Sequence, residues 1–181
     1  MVKISALVFF LAIVIIIFIK YNKLVKLQNK VKQAKSGIDV YLNQRFDLIP
    51  NLVECVKAYV KYEKNLLENI TEMRIEYMRG NKNLKNAEKI NDGMNKILAI
   101  AENYPNLKAS EQFLNLQKNL SKIESQLQAA RRIYNNEVTI YNTKIRVIPD
   151  NLIAKIFRFK ETELFEIEEY KKQNINIDIG E

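Results

Sequence analysis

The apolar positions begin as an unbroken run from Ile4 to Ile19, in which Ser5 is the only polar residue. Sixteen residues of α-helix cover about 24 Å, and the lysines at either end, Lys3 and Lys20, can extend the span to the lipid headgroups. No face of such a helix is polar enough to meet water, which argues against a buried core helix. The run therefore predicts a transmembrane helix at residues 1–20.

A cleaved secretory signal is the alternative interpretation of this run. Signals carry a shorter apolar region that is followed by small residues at the cleavage site. Here a polar stretch from Lys20 to Lys23 follows directly and continues the helical pattern. An uncleaved anchor is therefore preferred, and membrane lipid is the first expected partner.

Lysine residues are distributed unevenly about the predicted anchor. One lysine precedes it, and the ones that follow within sixteen residues are Lys20, Lys23, Lys26, Lys30, Lys32 and Lys35. The positive-inside rule places such a side in the cytoplasm, where the lysines would also lie against an anionic leaflet. They are equally typical of a solvated helix face. We expect a single-pass protein of the cell membrane with its body in the cytoplasm.

Beyond the anchor, apolar residues recur at spacings of three and four, the period of an α-helix. One apolar stripe continues the first helix to about Phe46, and a second helix is predicted from about Asp47 to Arg79. Whether residues 44–47 form a true turn or only a kink stays open at this point.

The predicted second helix has a proline in its first turn. Pro50 is tolerated there because its missing N–H would be unpaired in any case, and Asp47 is then the expected N-cap. The expected buried face of this helix includes Leu52 and Tyr59.

Later breaks divide the rest of the chain. Residues 80–83 predict a loop, residues 84–103 a third helix, and Tyr104-Pro105-Asn106 ends that helix. A fourth helix of about 35 residues is predicted from Ser110, and Pro149-Asp150-Asn151 ends it.

The C-terminal part is less regular. Leu152, Ile153, Ile156, Phe157 and Phe159 predict a short apolar helix or a hairpin segment, and a stretch rich in carboxylates follows them. Residues 175–179 alternate strictly between apolar and polar, which is typical of a strand or of a disordered end.

Composition narrows the possible functions. The net charge of +8 comes partly from the lysines beside the anchor and is otherwise interleaved with Glu, so no nucleic acid partner is expected. Cys55 is the only cysteine and the chain has no His, which removes internal disulfides and the commonest general base and metal ligand. Phosphate-binding glycine loops and a nucleophile elbow are also absent. We expect no catalytic residues, no metal and no cofactor, and hence a protein that is not an enzyme.

Several blocks of residues, in order from about Tyr21 to Phe165, resemble the LemA family. They are Phe46–Glu54, Glu102–Ala109 with Phe113–Gln117, Ala130–Asn135 with Tyr141-Asn142, and Pro149–Ala154 with Phe157 and Phe159-Lys160. The resemblance implies a membrane-anchored antiparallel helical bundle, with no established biochemical activity.

This sequence departs from the family pattern at one motif. The family usually has a basic or aromatic pair before its Asp-Leu-Ile-Pro, and Arg45-Phe46 is a variant of that pair. The C-terminal end of the family is usually variable, so the resemblance implies nothing about the alternating tail.

Two groups of residues are candidates for a protein-interaction surface. The first group joins prolines to Asn, Asp or Tyr at the breaks and comprises Asp47, Pro50, Asn51, Tyr104, Pro105, Asn106, Pro149 and Asn151. Ordinary helix capping and turn formation are the alternative role for these residues. The second group comprises Arg131, Arg132 and Asn135, near Asn142 and Arg146. Its arginines would reach the surface, pair with a buried carboxylate such as Glu54 or Glu63, or bind an anionic group.

The predicted fold is an all-α, elongated antiparallel helical bundle on one N-terminal transmembrane helix. Its predicted parts are the anchor at residues 1–20, the bundle at residues 21–170 and a variable tail at residues 171–181. The predicted function is that of a membrane-anchored scaffold or protein-interaction module with an unknown protein partner. The alternative is an adaptor that presents substrates to a membrane protease or other membrane enzyme.

Overall fold

The computed structural model describes residues 2–60, 63–80, 82 and 84–165, apart from the side chains of residues 2, 6 and 84. Helices are the only regular secondary structure among the described residues, which confirms the predicted all-α helical bundle. The alternating tail at residues 175–179 lies outside the described residues. The helices are α1 (Val2–Asp47), α2 (Ile49–Lys57), α3 (Lys64–Met78), α4 (Leu84–Ala101), α5 (Pro105–Lys108), α6 (Glu111–Arg146) and α7 (Asp150–Ile156).

The chain divides into two units, and both α1 and α6 contribute to each of them. The first, here termed the anchor unit, comprises Met1–Lys35 and Ala130–Glu181. The second, here termed the central unit, comprises Ser36–Ala129.

The core of the central unit forms where α2, α3 and α4 pack against one another. Tyr77 of α3 is fully buried, and its ring meets that of Phe46 edge to face with the centroids 5.0 Å apart. Gly93 allows α3 and α4 to approach closely, since a Cβ atom at this position would lie 3.3 Å from Cδ1 of Ile70. An alanine at residue 93 would therefore require the Ile70 side chain to move.

The boundary between α1 and α2 is a kink. Leu48 alone separates the two helices, and it keeps a helical conformation with φ −82° and ψ −10°. Leu48, and not Asp47, is the N-cap of α2, and no side chain makes a capping hydrogen bond there. The expectation that Asp47 caps the helix is therefore wrong, because α1 continues through Asp47 and Leu48 takes the N-cap position. Its carboxylate instead accepts a hydrogen bond from Arg74 Nη2 at 3.1 Å.

The predicted second helix is two helices, because the chain leaves the helical path between Lys57 and Lys64. A single helix from Asp47 to Arg79 is wrong because α2 and α3 pack against each other, which one straight helix would not allow. No Gly or Pro marks this break in the sequence. Tyr59, which was expected in the core, follows the end of α2 and is 40% exposed.

In the anchor unit, α1 changes character along its length. Its N-terminal part is long and apolar enough to cross a membrane, and none of its most apolar window is buried in the structure. From Leu24 onward one face is buried, as are Val138 and Tyr141 in the C-terminal half of α6. The apolar residues after Pro149 form the helix α7 and not a hairpin.

A pair of leucine substitutions tests the assigned core of the central unit. Leu52→Ala should lower the free energy of unfolding by about 2–5 kcal/mol, because Leu52 is fully buried. Leu114→Ala, a matched change at an exposed leucine, should stay within about 0.5 kcal/mol. Asp47→Ala should cost less than about 1 kcal/mol, since it removes one exposed ion pair. Denaturant unfolding of the detergent-solubilised chain, followed by circular dichroism, measures all three, and equal losses from both leucines would contradict the assignment.

Candidate protein-interaction site

The C-terminal half of α6 holds residues 159–165, here termed the C-terminal segment, through two asparagine side chains. Asn142 Nδ2 donates to the Thr162 carbonyl at 2.8 Å, and Asn142 Oδ1 accepts from the Thr162 N–H at 3.0 Å. Asn135 makes the same pair of hydrogen bonds with Phe165, at 3.0 and 2.7 Å. Each side-chain amide therefore satisfies both backbone groups of one residue, as a neighbouring peptide backbone would.

The spacing of these contacts defines the conformation of the segment. Asn135 and Asn142 are two helical turns apart, which is about 10.5 Å along α6. Their partners Phe165 and Thr162 are only three residues apart, so the chain between them is close to fully extended. A repeat of three residues is that of the polyproline II conformation, which rises about 3.1 Å per residue. The segment runs antiparallel to α6.

Two tyrosine hydroxyls also hold the segment, and they have the same spacing as the asparagines: seven residues on α6 and three residues on the segment. Tyr141 Oη donates to the Lys160 carbonyl, and Tyr134 Oη donates to the Glu163 carbonyl, each at 3.0 Å. Burial raises the pKa of both tyrosines, and the charge of Glu163 adds to the effect at Tyr134. Both hydroxyls therefore keep their proton and act as donors at neutral pH. We term Tyr134, Asn135, Tyr141 and Asn142 the α6 seat.

Charged side chains hold the segment at both ends of the seat. The Arg131 guanidinium lies 4.7 Å from the centroid of the Phe165 ring, within the range of a cation–π contact. Arg146 Nε donates to Glu161 at 2.7 Å, and this hydrogen bond lowers the pKa of the Glu161 carboxyl. The second pair is exposed, so it positions the segment more than it stabilises the fold.

The second group of sequence candidates is only partly brought together by the structure. Arg131 and Asn135 contact the C-terminal segment, whereas Arg132 is exposed on α6. The two tyrosines of the seat belong to the apolar stripe of the predicted fourth helix, but their contact with the C-terminal segment was not predicted. The available signal was a repeat of Ile-Tyr-Asn at residues 133–135 and 140–142, which returns after two helical turns.

Most of the first group lies in the central unit, where Pro50 and Asn51 are in the first turn of α2. Pro105 and Asn106 belong to the short helix α5, and Tyr104 is its N-cap without a side-chain capping bond. The proline-containing breaks are therefore helix starts. A role for these residues in binding a partner stays a prediction.

Asn51 also lines an open groove of about 650 Å³ within the central unit. Burial, with the charge of Glu54, raises the pKa of the Cys55 thiol, which therefore stays protonated and weakly nucleophilic at neutral pH. Within the described residues, no group of three or more His, Cys, Asp and Glu side chains could hold a metal ion. The groove offers hydrogen-bonding groups, and besides Asn51 and Cys55 its polar lining residues are Glu54, Tyr59, Ser110, Gln112, Asn115 and Asn119.

Pro149 and Asn151 lie in the anchor unit, on either side of Asp150. The Asp150 side chain is 1% exposed, and its Oδ2 accepts from Lys144 Nζ at 2.8 Å and from Lys20 Nζ at 3.2 Å. Burial acts to raise the pKa of Asp150, but the hydrogen bonds and charges of the two lysines outweigh it and the pKa is lowered. Through Lys144 this carboxylate links the start of α7 to the end of α6. Through Lys20 it links the start of α7 to the end of the apolar run.

Comparison with known proteins gives consistent matches over most of the chain. Residues 34–179 match the model of the LemA family. The chain is 24% identical to Protein LemA of Metamycoplasma hominis, over 96% of this chain and 83% of that protein. It is 21% identical to Magnetosome protein MamQ 2 of Paramagnetospirillum magneticum, over 86% of this chain and 68% of that protein. The chain is also 21% identical to Magnetosome protein MamQ of Magnetospirillum gryphiswaldense, over 85% of this chain and 67% of that protein.

The hydrogen bonds of the α6 seat indicate which substitutions should release the C-terminal segment. Replacing Asn135 and Asn142 by Ala removes four hydrogen bonds to the backbone of the segment. We expect hydrogen exchange at the Thr162 and Phe165 amides to become roughly tenfold faster or more, as measured by mass spectrometry.

Asn136→Ala is the matched control, since Asn136 is an exposed asparagine on the same helix. It should leave the exchange rates of the segment unchanged. Equal rates in the double variant and in the unchanged protein would mean that the seat does not hold the segment.

Proposed function

The chain belongs to the LemA family, and from this premise we propose that it is a membrane-anchored protein-interaction module whose α6 seat binds extended peptide segments. The observation that carries the proposal is the set of hydrogen bonds between the seat and the backbone of residues 160–165. The C-terminal segment is then the resident occupant of a surface that also receives a segment of a partner.

The contacts of the seat explain why it would accept different sequences. All of its hydrogen bonds go to carbonyl and N–H groups of the C-terminal segment, and none goes to a side chain of that segment. Every peptide has these backbone groups, so affinity does not depend on one particular sequence. Extended segments with a repeat of three residues are bound in this way by known peptide-recognition modules.

A partner must compete with a segment that is tethered to the same chain. Tethering gives the C-terminal segment an effective concentration in the millimolar range, as short linkers do. A partner reaches a comparable local concentration when both proteins are confined to one membrane. Membrane anchoring by α1 is therefore part of the proposed function and not only of the proposed location.

Ile133 and Ile140, the first residues of the two Ile-Tyr-Asn repeats, are exposed on α6. Because successive residues of an α-helix are about 100° apart, these two side chains lie roughly opposite Asn135 and Asn142. They are therefore not part of the seat, and the proposal rests on the backbone contacts of the seat alone.

Site-specific photocrosslinking in the native membrane tests this proposal. A photoreactive amino acid at Thr139, which is exposed on the side of α6 that carries Asn135 and Asn142, should cross-link a protein partner. The yield should rise when the chain is truncated after Phe159, because the truncation vacates the seat and leaves its four residues in place. Adding Asn135→Ala and Asn142→Ala to the truncated chain should abolish the product. Mass spectrometry identifies the partner.

The control is the same photoreactive residue at Ile75, an exposed isoleucine on α3 in the central unit. Truncation should not change its products. A yield at Thr139 that is the same with and without residues 160–181 would mean that the seat exchanges no segment, and the proposal would fail.

The adaptor function is the second candidate, and the backbone-directed contacts of the seat favour it as well. A protein that delivers many substrates must bind chains of unrelated sequence, which contacts to the backbone allow. The cross-linked products distinguish the two candidates. A scaffold should give one stable partner, whereas an adaptor should give a membrane protease or other membrane enzyme together with a varied set of substrates.

The proposed orientation places the body of the protein in the cytoplasm, since most lysines near the apolar run follow it. A cysteine at the exposed Lys82, in a chain with Cys55→Ala, should resist a membrane-impermeant thiol reagent in intact cells and react after lysis. Labelling of intact cells at this position would reverse the orientation. A cysteine at residue 2, on the other side of the apolar run, is the control that should react in intact cells once any outer permeability barrier is opened.

A further inference from the structure

Helix α7 and the turn before it expose an apolar surface that the seat does not use. Ile148 is 82% exposed, Leu152 59% and Ile156 71%. The last two lie one helical turn apart on α7, and Ile148 precedes Leu152 by the same number of residues. Val147 and Phe157 are exposed beside them. We term these five residues the α7 patch.

The patch is fixed next to the end of the apolar run of α1. Asp150 of α7 is paired with Lys20, the residue directly after Ile19. The ring of Phe157 lies 4.7 Å from that of Tyr21, measured between centroids. Tyr21 is two residues, or about 3 Å along the helix axis, beyond the apolar run. Two independent contacts thus hold α7 at the level where α1 would leave the hydrocarbon.

The charges around the patch are those that an anionic lipid surface attracts. Lys155 and Arg158 are exposed, on α7 and in the turn after it. The one carboxylate of α7, that of Asp150, is buried and neutralised by Lys20 and Lys144. Exposed apolar residues with cations beside them and no exposed carboxylate on the helix itself are typical of a helix that lies in the membrane interface.

We propose that the α7 patch is a second membrane contact, which inserts Ile148, Leu152 and Ile156 into the interface of the leaflet where α1 leaves the bilayer. The inference rests on the membrane anchoring proposed above and adds a second attachment to it. Bound in this way, α7 fixes the C-terminal end of α6 at the membrane surface. The Lys20–Asp150 pair lies between the two attachments and is shielded from water by both.

Tryptophan fluorescence tests this contact because the chain contains no tryptophan of its own. Ile156→Trp and, separately, Leu152→Trp are made in the full chain and reconstituted into vesicles of phosphatidylcholine and phosphatidylglycerol. Both positions are exposed, so the larger ring needs no repacking of the core. We expect lipids brominated on the acyl chain near the headgroup to quench both tryptophans, and aqueous acrylamide to quench them weakly.

Two further variants provide the controls. Leu114→Trp, exposed on α6 in the central unit, should be quenched by acrylamide and not by brominated lipid. Ile13→Trp reports on the anchor and should be quenched by lipid brominated deep in the acyl chain. If Ile13→Trp is quenched in this way but Ile156→Trp and Leu152→Trp respond like Leu114→Trp, the anchor stands and the interfacial contact is refuted.

The remaining outcomes also decide the question. If Ile13→Trp is not quenched by lipid, membrane anchoring fails and this inference fails with it. If the α7 tryptophans are protected from acrylamide but not quenched by brominated lipid, the patch is covered by protein and the lipid contact is refuted.

Discussion

The anchor unit depends on one buried carboxylate. Asp150 is 1% exposed, and burying a charge is costly unless it is paired and hydrogen-bonded. Its two partners come from different parts of the chain, Lys20 at the end of the apolar run and Lys144 in the last turn of α6. Any arrangement that separated these helix ends would leave the carboxylate buried with fewer partners. The pair of lysines therefore fixes where α7 starts, and with it the position of the aromatic contacts to Tyr21.

The α6 seat follows from a match between two repeats. Two turns of α-helix rise about 10.5 Å, and three residues of nearly extended chain cover about 9–10 Å. An Ile-Tyr-Asn repeat with a period of seven can therefore contact an extended chain at every third residue. Tyrosine and asparagine have separate roles, because the hydroxyl donates to one carbonyl and the amide pairs with both backbone groups of another residue. The same repeat places Ile133 and Ile140 at the surface on the side of α6 opposite the asparagines.

Hydrophobic periodicity predicted most of the helices, including α4 and α6 to within a few residues, because Gly and Pro mark their ends. It failed between α2 and α3, where no such residue occurs and the break is set by packing of the two helices. The role of Asp47 was missed for a related reason, since its partner Arg74 is distant in sequence. Asn135 was identified as a candidate, but its contact was not predictable from composition. An asparagine that binds backbone leaves no pattern in the sequence of the segment it holds.

The titratable groups whose pKa values are shifted take part in structural contacts. Lys20 and Lys144 lower the pKa of Asp150, and Asp150 holds both lysines in place. Burial raises the pKa of Cys55, which keeps it in the less reactive thiol form. Tyr134 and Tyr141 keep protons that they donate to the C-terminal segment. In each case the shift in pKa strengthens a structural contact or lowers reactivity. The exposed apolar surface on α7 is suited to contact with lipid.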